Sequence, residues 1–406
     1  MRSKRKQILI GGLLALVSIL FLSLLLSAMI SKPQWHTSTT TRRTATLFPE
    51  TQTFHPAWRR SASLTDHRFT YHLNHSIFKE EFPSLQFYNC KVLAQEAGFC
   101  WSPGGKPLLI MAVKTHPLSS VRRAALRQTW AVERSVLGYH VKALFLMATT
   151  NDTNNTRPMQ LVAEEIKEYH DILLWDFTES HHNLSLKERC FIEWVHHNCK
   201  EADFIFKGDD DEFVNTEAVV RYVKETPDAS GNIHGSIQNE SVVMHTGKYR
   251  VSESLFPYPL YPFFVSGGGF IIPGAFIPAL YQASTWLPVF PLDDVYFGFL
   301  ALAANLSFRH DERFDTLGTW VGLCSYKRAL VVHGVSPEGL VNVWQSLQGW
   351  VPCPEGILWL YILLLSVGAA SLLFGIIKYC KFSPRCFRKW VLVNVNAYWT
   401  SLHSRA

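Results

Sequence analysis

Lys207-Gly208-Asp209-Asp210-Asp211-Glu212 places adjacent carboxylates directly after a short apolar run, Phe204-Ile205-Phe206. Carboxylates this close repel one another, and gathering them is costly unless a cation or solvent offsets the charge. Oxygen ligands of this kind suit Mn²⁺ or Mg²⁺, and such an ion keeps open positions that can hold a diphosphate. It would then stabilise charge developing on a phosphate leaving group. A second acid pair, Asp293-Asp294, opens an apolar stretch running to about Leu306. There a carboxylate either caps a helix or serves as a general base that takes a proton from a hydroxyl. In Ser266-Gly267-Gly268-Gly269-Phe270, missing side chains let a ligand or another backbone approach closely. Arg122, Arg123 and Arg127 occupy neighbouring positions at a helix start, where they could meet phosphate, and Trp130 could stack or pack. His333 closes the apolar run Ala329-Leu330-Val331-Val332 and could complete a metal site. Taken singly, each motif also fits a plain role: solvated loop, helix cap, turn or basic face.

The elements around these residues follow an alternating pattern. Pro107 to Val113 reads as a buried strand, Val121 to Trp130 as a helix and Val141 to Ala148 as a second strand. Leu161 to Glu168 reads as a helix, Ile172 to Trp175 as a third strand and Leu184 to His197 as a longer helix. Phe204 to Phe206 is then a fourth strand ending at the acidic run. Strands alternating with helices predict an α/β layer with a mostly parallel sheet. Ligands in such sheets bind beyond the carboxyl ends of the strands, where the acidic run falls.

The 406 residues are 48% apolar and 18% charged, a globular composition enriched by apolar segments and not that of a disordered chain. Residues 8–30 and 356–377 carry no charge and are each long enough to span a bilayer core of about 30 Å. Arg2, Lys4, Arg5 and Lys6 precede the first; Lys378, Lys381, Arg385, Arg388 and Lys389 follow the second. Basic flanks mark the cytosolic side, so residues 1–7 and 378–406 are expected in the cytosol. Much of the net charge of +6 sits in these flanks, which argues against a nucleic-acid partner. Residues 31–89, rich in Thr, His and Pro, are expected to form a lumenal stem, and 90–355 the folded domain. Sequons begin at Asn74, Asn151, Asn154, Asn183, Asn239 and Asn305, all between the apolar segments. Six of the eight cysteines lie there too, an even number that suggests disulfides whose pairing is not readable. Cys380 and Cys386 fall just inside the cytosolic face and are candidates for acylation.

Together the motifs resemble the β-1,3-glycosyltransferase family over about Leu108 to Leu347. The shared elements occur in order: Arg122-Arg123-x-Ala125-x-Arg127-x-Thr129-Trp130; Asp176-Phe177 through Asn183-Leu184-Ser185-Leu186-Lys187; Lys207-Gly208-Asp209-Asp210-Asp211; Phe213-Val214-Asn215; Tyr258-Pro259 and Tyr261-Pro262; Gly267-Gly268-Gly269-Phe270; and Asp294-Val295-Tyr296-Phe297-Gly298. The resemblance implies a GT-A (Rossmann-like) α/β fold that holds a UDP-sugar through an acidic motif and Mn²⁺, with Mg²⁺ as the alternative. It implies inverting transfer in β-1,3 linkage in the Golgi membrane, with the catalytic domain lumenal. By position, Asp294 matches the catalytic base, and Asp209, Asp211 and His333 match metal ligands. Arg122, Arg123, Arg127, Lys187 and Asp210 fall to the nucleotide-sugar, and Gly267, Gly268, Gly269 and Asp293 to the substrate. Gly208 in the acidic motif favours the N-acetylglucosaminyl branch, hence UDP-GlcNAc as donor and a terminal β-galactoside on a glycoprotein or glycolipid as acceptor. The alternatives are galactosyl transfer from UDP-Gal, and an inactive lectin-like or chaperone membrane protein. Glu212 stands where the family commonly has an apolar residue, and Asp293 where it commonly has Glu. The family is normally single-pass, so residues 356–377 also depart from its pattern.

Overall fold

The computed structural model describes residues 61–150, 156–319, 322–351, 353 and 361–371. The first elements are a hairpin, β1 (Ser61–Thr65) and β2 (Thr70–Asn74), then helices α1 (His75–Glu81) and α2 (Pro83–Gln86). Residues 61–89, placed by sequence in the 31–89 stem, thus carry regular structure. Alternation along the hairpin buries Ala62, Leu64, Tyr71 and Leu73, and the helices bury Phe78 and Leu85 in the same core cluster. The short hydrophobic spacing was masked by the Thr and His that occupy the outward positions. Arg68 ties the hairpin to the distant chain, donating to the Asn239 carbonyl at 2.6 Å and the Tyr261 carbonyl at 2.7 Å. Residues 31–60 of the expected stem lie outside the described residues.

The main layer then builds in chain order. β3 (Val92–Ala94), β4 (Leu108–Lys114), α3 (Ser120–Arg127), β5 (Arg134–Val136), β6 (Tyr139–Thr149), α4 (Arg157–Tyr169), β7 (Ile172–Thr178), α5 (Leu184–Asn198) and β8 (Ala202–Asp209) form its first half. β9 (Phe213–Val214), α6 (Thr216–Glu225), β10 (Ile233–Gln238), β11 (Phe264–Pro273), α7 (Ile277–Ser284), α8 (Asp293–Ala303), β12 (Phe308–His310), β13 (Phe314–Asp315), α9 (Leu323–Arg328), β14 (Val331–Val332) and α10 (Pro337–Gln348) complete it. Among the described residues the large sheet runs β12-β10-β11-β8-β4-β6-β7-β3, with β5 on β6. Its centre, β8-β4-β6-β7, is parallel as expected. Beyond it, β11 runs antiparallel to β8, β10 to β11, and β3 to β7, so the sheet is mixed. The glycine strand β11 arrives through residues 239–263 without a crossover helix, which permits the reversed direction.

The central strands are buried on both faces. In β4, Leu108, Ile110 and Ala112 enter one core cluster while Leu109, Met111 and Val113 enter the other. A second small sheet, β13-β14-β9, joins the chain after the acidic run to that before His333. Disulfides pair Cys90 with Cys190, Cys100 with Cys199 and Cys324 with Cys353. The first two brace α5 and its C-terminal end against the segment that carries β3.

Among the described residues no helix is long and apolar enough to cross a membrane. Residues 361–371, inside the second apolar segment, are helical, with exposed side chains on Leu363, Leu364 and Leu365. The first segment, 8–30, the remainder of the second, and the tail with Cys380 and Cys386 lie outside the described residues.

Candidate active site

The carboxyl ends of β4 and β8 lie side by side, with Lys114 in register with Asp209. Both strands end there, so the side chains of the acidic run emerge at the rim of the sheet. A cleft of about 490 Å³ opens at this rim. Asp209, Asp210, Asp211, Arg122 and His333 line it together with Glu179, His181 and Lys187.

Pairing of β9 with β14 sets Phe213 opposite Val332 and thereby brings His333 back to Asp211. The Val335 N–H also donates to the Asp211 carbonyl at 2.7 Å. His333 Nε2 lies 3.4 Å from Asp211 Oδ1. One ligand atom each of Asp209, Asp211 and His333 lies within 4.8 Å of the others. Asp211 Oδ1 is buried and has no hydrogen-bond partner, as a carboxylate oxygen reserved for a cation would be. Two carboxylates and an imidazole suit a borderline divalent ion better than a purely oxygen-seeking one. The residues therefore fit a metal.

Asp293 and Asp294 begin α8, in the turn where the helix dipole favours negative charge. They do not line the cleft themselves; Lys114 connects them to it. The buried Lys114 ammonium lies 3.1 Å from Asp209 and 2.9 Å from Asp293. Burial alone would lower its pKa, but Asp209, Asp293 and Asp294 outweigh burial and raise it well above the usual value. The two neighbouring acids diverge. Burial pushes Asp293 up, yet Lys114 and Lys207 overcome this and hold it at about 2. Asp294 is raised to about 7 by burial and then by the Asp293 charge. Its Oδ2 accepts from the Gly267 N–H at 2.9 Å. A Cβ at Gly267 would stand 2.4 Å from Asp294 Oδ1, so any larger residue there would displace the Asp294 carboxylate.

The galactosyltransferase family profile matches residues 121–312. A human acetylgalactosaminyl-O-glycosyl-glycoprotein β-1,3-N-acetylglucosaminyltransferase is 34% identical over 259 residues, covering 60% of this chain and 67% of that one. A human UDP-GlcNAc:βGal β-1,3-N-acetylglucosaminyltransferase 9 is 31% identical over 61% of this chain and 67% of its own. A Pan paniscus β-1,3-galactosyltransferase 5 is 30% identical over 60% of this chain and 81% of its own. The chain belongs to the galactosyltransferase family.

Within this family member, the sequence-predicted residues divide into two groups. Asp209, Asp210, Asp211, Arg122, Lys187 and His333 line the cleft. Arg122 reaches Asp210 at 3.4 Å and Asp211 at 3.3 Å. Asp210 accepts from the Thr115 hydroxyl at 2.7 Å, and burial raises its pKa. Lys187 is almost fully buried, and its ammonium is engaged by the Thr115 carbonyl and Glu179. Its role there is to hold the cleft wall.

Arg123 and Arg127 do not face the cleft, contrary to expectation. Arg123 is 0% exposed and pairs with Glu165 at 2.6 Å. Arg127 pairs with Glu165 and Asp171 and lies over the rings of Phe145 and Tyr169. They fasten α3 to α4 and the start of β7, because successive helical positions face different ways. Trp130 is also structural, donating from Nε1 to the Glu212 carbonyl at 2.8 Å. At Gly268 and Gly269, Cβ atoms would press on Thr316 and Val331, and Gly269 has φ +105°.

Of the sequons, Asn74, Asn239 and Asn305 are exposed, whereas Asn151 and Asn154 lie outside the described residues. Asn183 is the exception. Its Nδ2, the atom a glycan would occupy, donates to the Thr178 carbonyl at 2.7 Å, and Ser185 is fully buried. A short sequon pattern carries no information about burial.

Sequence reasoning missed Lys114, Thr115 and Glu179. A lysine closing an otherwise apolar central strand was the available signal for the first. Glu212, at a position where the family commonly has an apolar residue, is buried, and burial followed by the Asp209 charge raises its pKa well above the usual value.

Proposed function

We propose that this chain is a Golgi β-1,3-N-acetylglucosaminyltransferase of GT-A type. It moves GlcNAc from UDP-GlcNAc to the 3-hydroxyl of a β-galactoside on a glycoprotein or glycolipid, with inversion. The observation that carries this reading is the Asp293–Asp294 pair at the start of α8, tied through Lys114 to the Asp209–Asp211–His333 cluster. Single displacement at an anomeric carbon needs one base for the acceptor hydroxyl and a cation site for the leaving group, and Lys114 bridges Asp209 of the cluster to Asp293, the neighbour of Asp294. The names of the GlcNAc-transferring relatives support the donor.

In this mechanism Asp294 accepts the proton of the acceptor hydroxyl as its oxygen bonds to the anomeric carbon. The bond from that carbon to the UDP oxygen breaks on the opposite face, turning an α-linked donor into a β-linked product. Gly267 N–H holds the base carboxylate in place. Lys114 keeps Asp293 ionised and compensated, leaving Asp294 as the acid that titrates near neutrality. Asp209, Asp211 and His333 would hold Mn²⁺, which stabilises the charge on the departing diphosphate. Arg122 sits beside that position with a guanidinium able to meet phosphate.

Release of UDP from UDP-GlcNAc with a lactosamine acceptor tests the reading, with UDP-Gal as the parallel donor. Galactosyl transfer is the second reading, favoured by the galactosyltransferase relative. Product from neither donor would leave an inactive, lectin-like protein. Segments 8–30 and 356–377 are proposed to anchor the domain in the lumen, in keeping with its three disulfides. Protection of a tag after Ala406 from protease outside sealed vesicles would refute the double crossing.

A further inference from the structure

Glu212 lies directly behind the metal-holding acids. Its Oε1 accepts the Asp209 backbone N–H at 2.8 Å. Its carboxyl fills the space where Gly208 lacks a side chain, since a Cβ there would stand 2.1 Å from Oε2. A Cβ on Gly269 would stand 3.3 Å from the same oxygen. Gly269 is two residues from Gly267, whose N–H holds Asp294. The main chain of Glu212 is itself fixed by Trp130.

We propose that Glu212 is a positioning residue, a carboxyl wedged between Gly208 and Gly269 that sets the Asp209 main chain and joins the metal-holding run to the strand that holds the base. Two glycines on adjacent antiparallel strands leave a notch, and Glu212 alone fills it with an acceptor aimed at Asp209. An apolar side chain could fill the notch but could not accept that N–H. A Cβ at position 208 would evict the carboxyl even with Glu212 present.

This inference rests on the proposed metal site, and the two fail differently. Mn²⁺ binding to the full-length chain in detergent, read from the free-ion paramagnetic resonance signal without substrates, separates them. Glu212→Ala is expected to weaken binding about tenfold or more, as loss of a supporting contact to a ligand does. Glu212→Gln, which keeps shape and acceptor, should restore it to near the parent value. Gly208→Ala should weaken binding with Glu212 intact, and adding Glu212→Ala should cost little more, because both remove one interaction. Parent-like affinity in Gly208→Ala or in Glu212→Ala, or losses that simply multiply, would overturn the inference alone. No Mn²⁺ binding by the parent chain would overturn the metal site and the inference with it. Gly208→Ala remains decisive should Glu212→Ala not fold.

Discussion

As the proposed base, Asp294 would have to be ionised to accept a proton yet basic enough to take one, and a pKa raised to about 7 suits both demands. Asp294→Asn is expected to lower kcat by about 10²- to 10⁴-fold with donor binding nearly intact. Separate measurement of UDP-GlcNAc binding and of turnover checks it. In the parent enzyme the ionised form is the active one, so kcat/KM should fall as pH drops below about 7. Saturating cation adds positive charge nearby and should shift this acidic limb downward. A pH profile at two Mn²⁺ concentrations reads both effects. The arginines separate just as cleanly. Arg122→Ala should raise the donor KM with little change in Tm, because the side chain is partly exposed in the cleft. Arg123→Ala should instead cost about 3 kcal/mol of stability by emptying a fully buried site and leaving the partly buried Glu165 with Arg127 alone. From sequence these two residues were indistinguishable, since adjacent arginines differ only in the direction their helix gives them.

Lys114 belongs to the scale of elements, because it joins the ends of β4 and β8 to the start of α8. Lys114→Met leaves Asp209 and Asp293 without their common partner. It should destabilise the fold by about 3–5 kcal/mol and move the Asp294 acidic limb upward, readable by thermal melting and the pH profile. The central strands were legible in sequence because strands buried on both faces read as unbroken apolar runs. The return of β11 in the opposite direction was not, since strand direction leaves no trace in side-chain pattern. His333 reached its place through a two-residue strand pairing too short to signal itself, although its position after an apolar run had marked it. The acidic run and the Asp293-Asp294 pair stood out in sequence as candidates for chemistry. The lysine between them did not, because a single cation at a strand end looks like an ordinary boundary.

At the scale of the whole molecule, the folded unit extends further toward the N-terminus than composition suggested. Tyr71, Phe78 and Leu85 are fully buried in the core cluster shared with α8. A chain beginning at Ser61 should keep the Tm of the longer protein. One beginning at Cys90 should lose stability of about 1.5–3 kcal/mol for each of these side chains and expose apolar surface on α8. Differential scanning calorimetry of the two secreted truncations checks this, and equal Tm values would return residues 61–89 to the stem. Such a hairpin is hard to read beforehand because only half its residues face inward and the rest resemble a linker.

The notch shared by Gly208, Glu212 and Gly269 has a consequence for descent as well as for chemistry. The three positions cannot drift independently. A lineage that acquires a side chain at 208 must first shorten or redirect residue 212, and one that keeps glutamate at 212 is bound to glycine at 208. Across relatives, glutamate at 212 should therefore occur only beside glycine at 208, leaving a historical record of a contact that neither reveals alone.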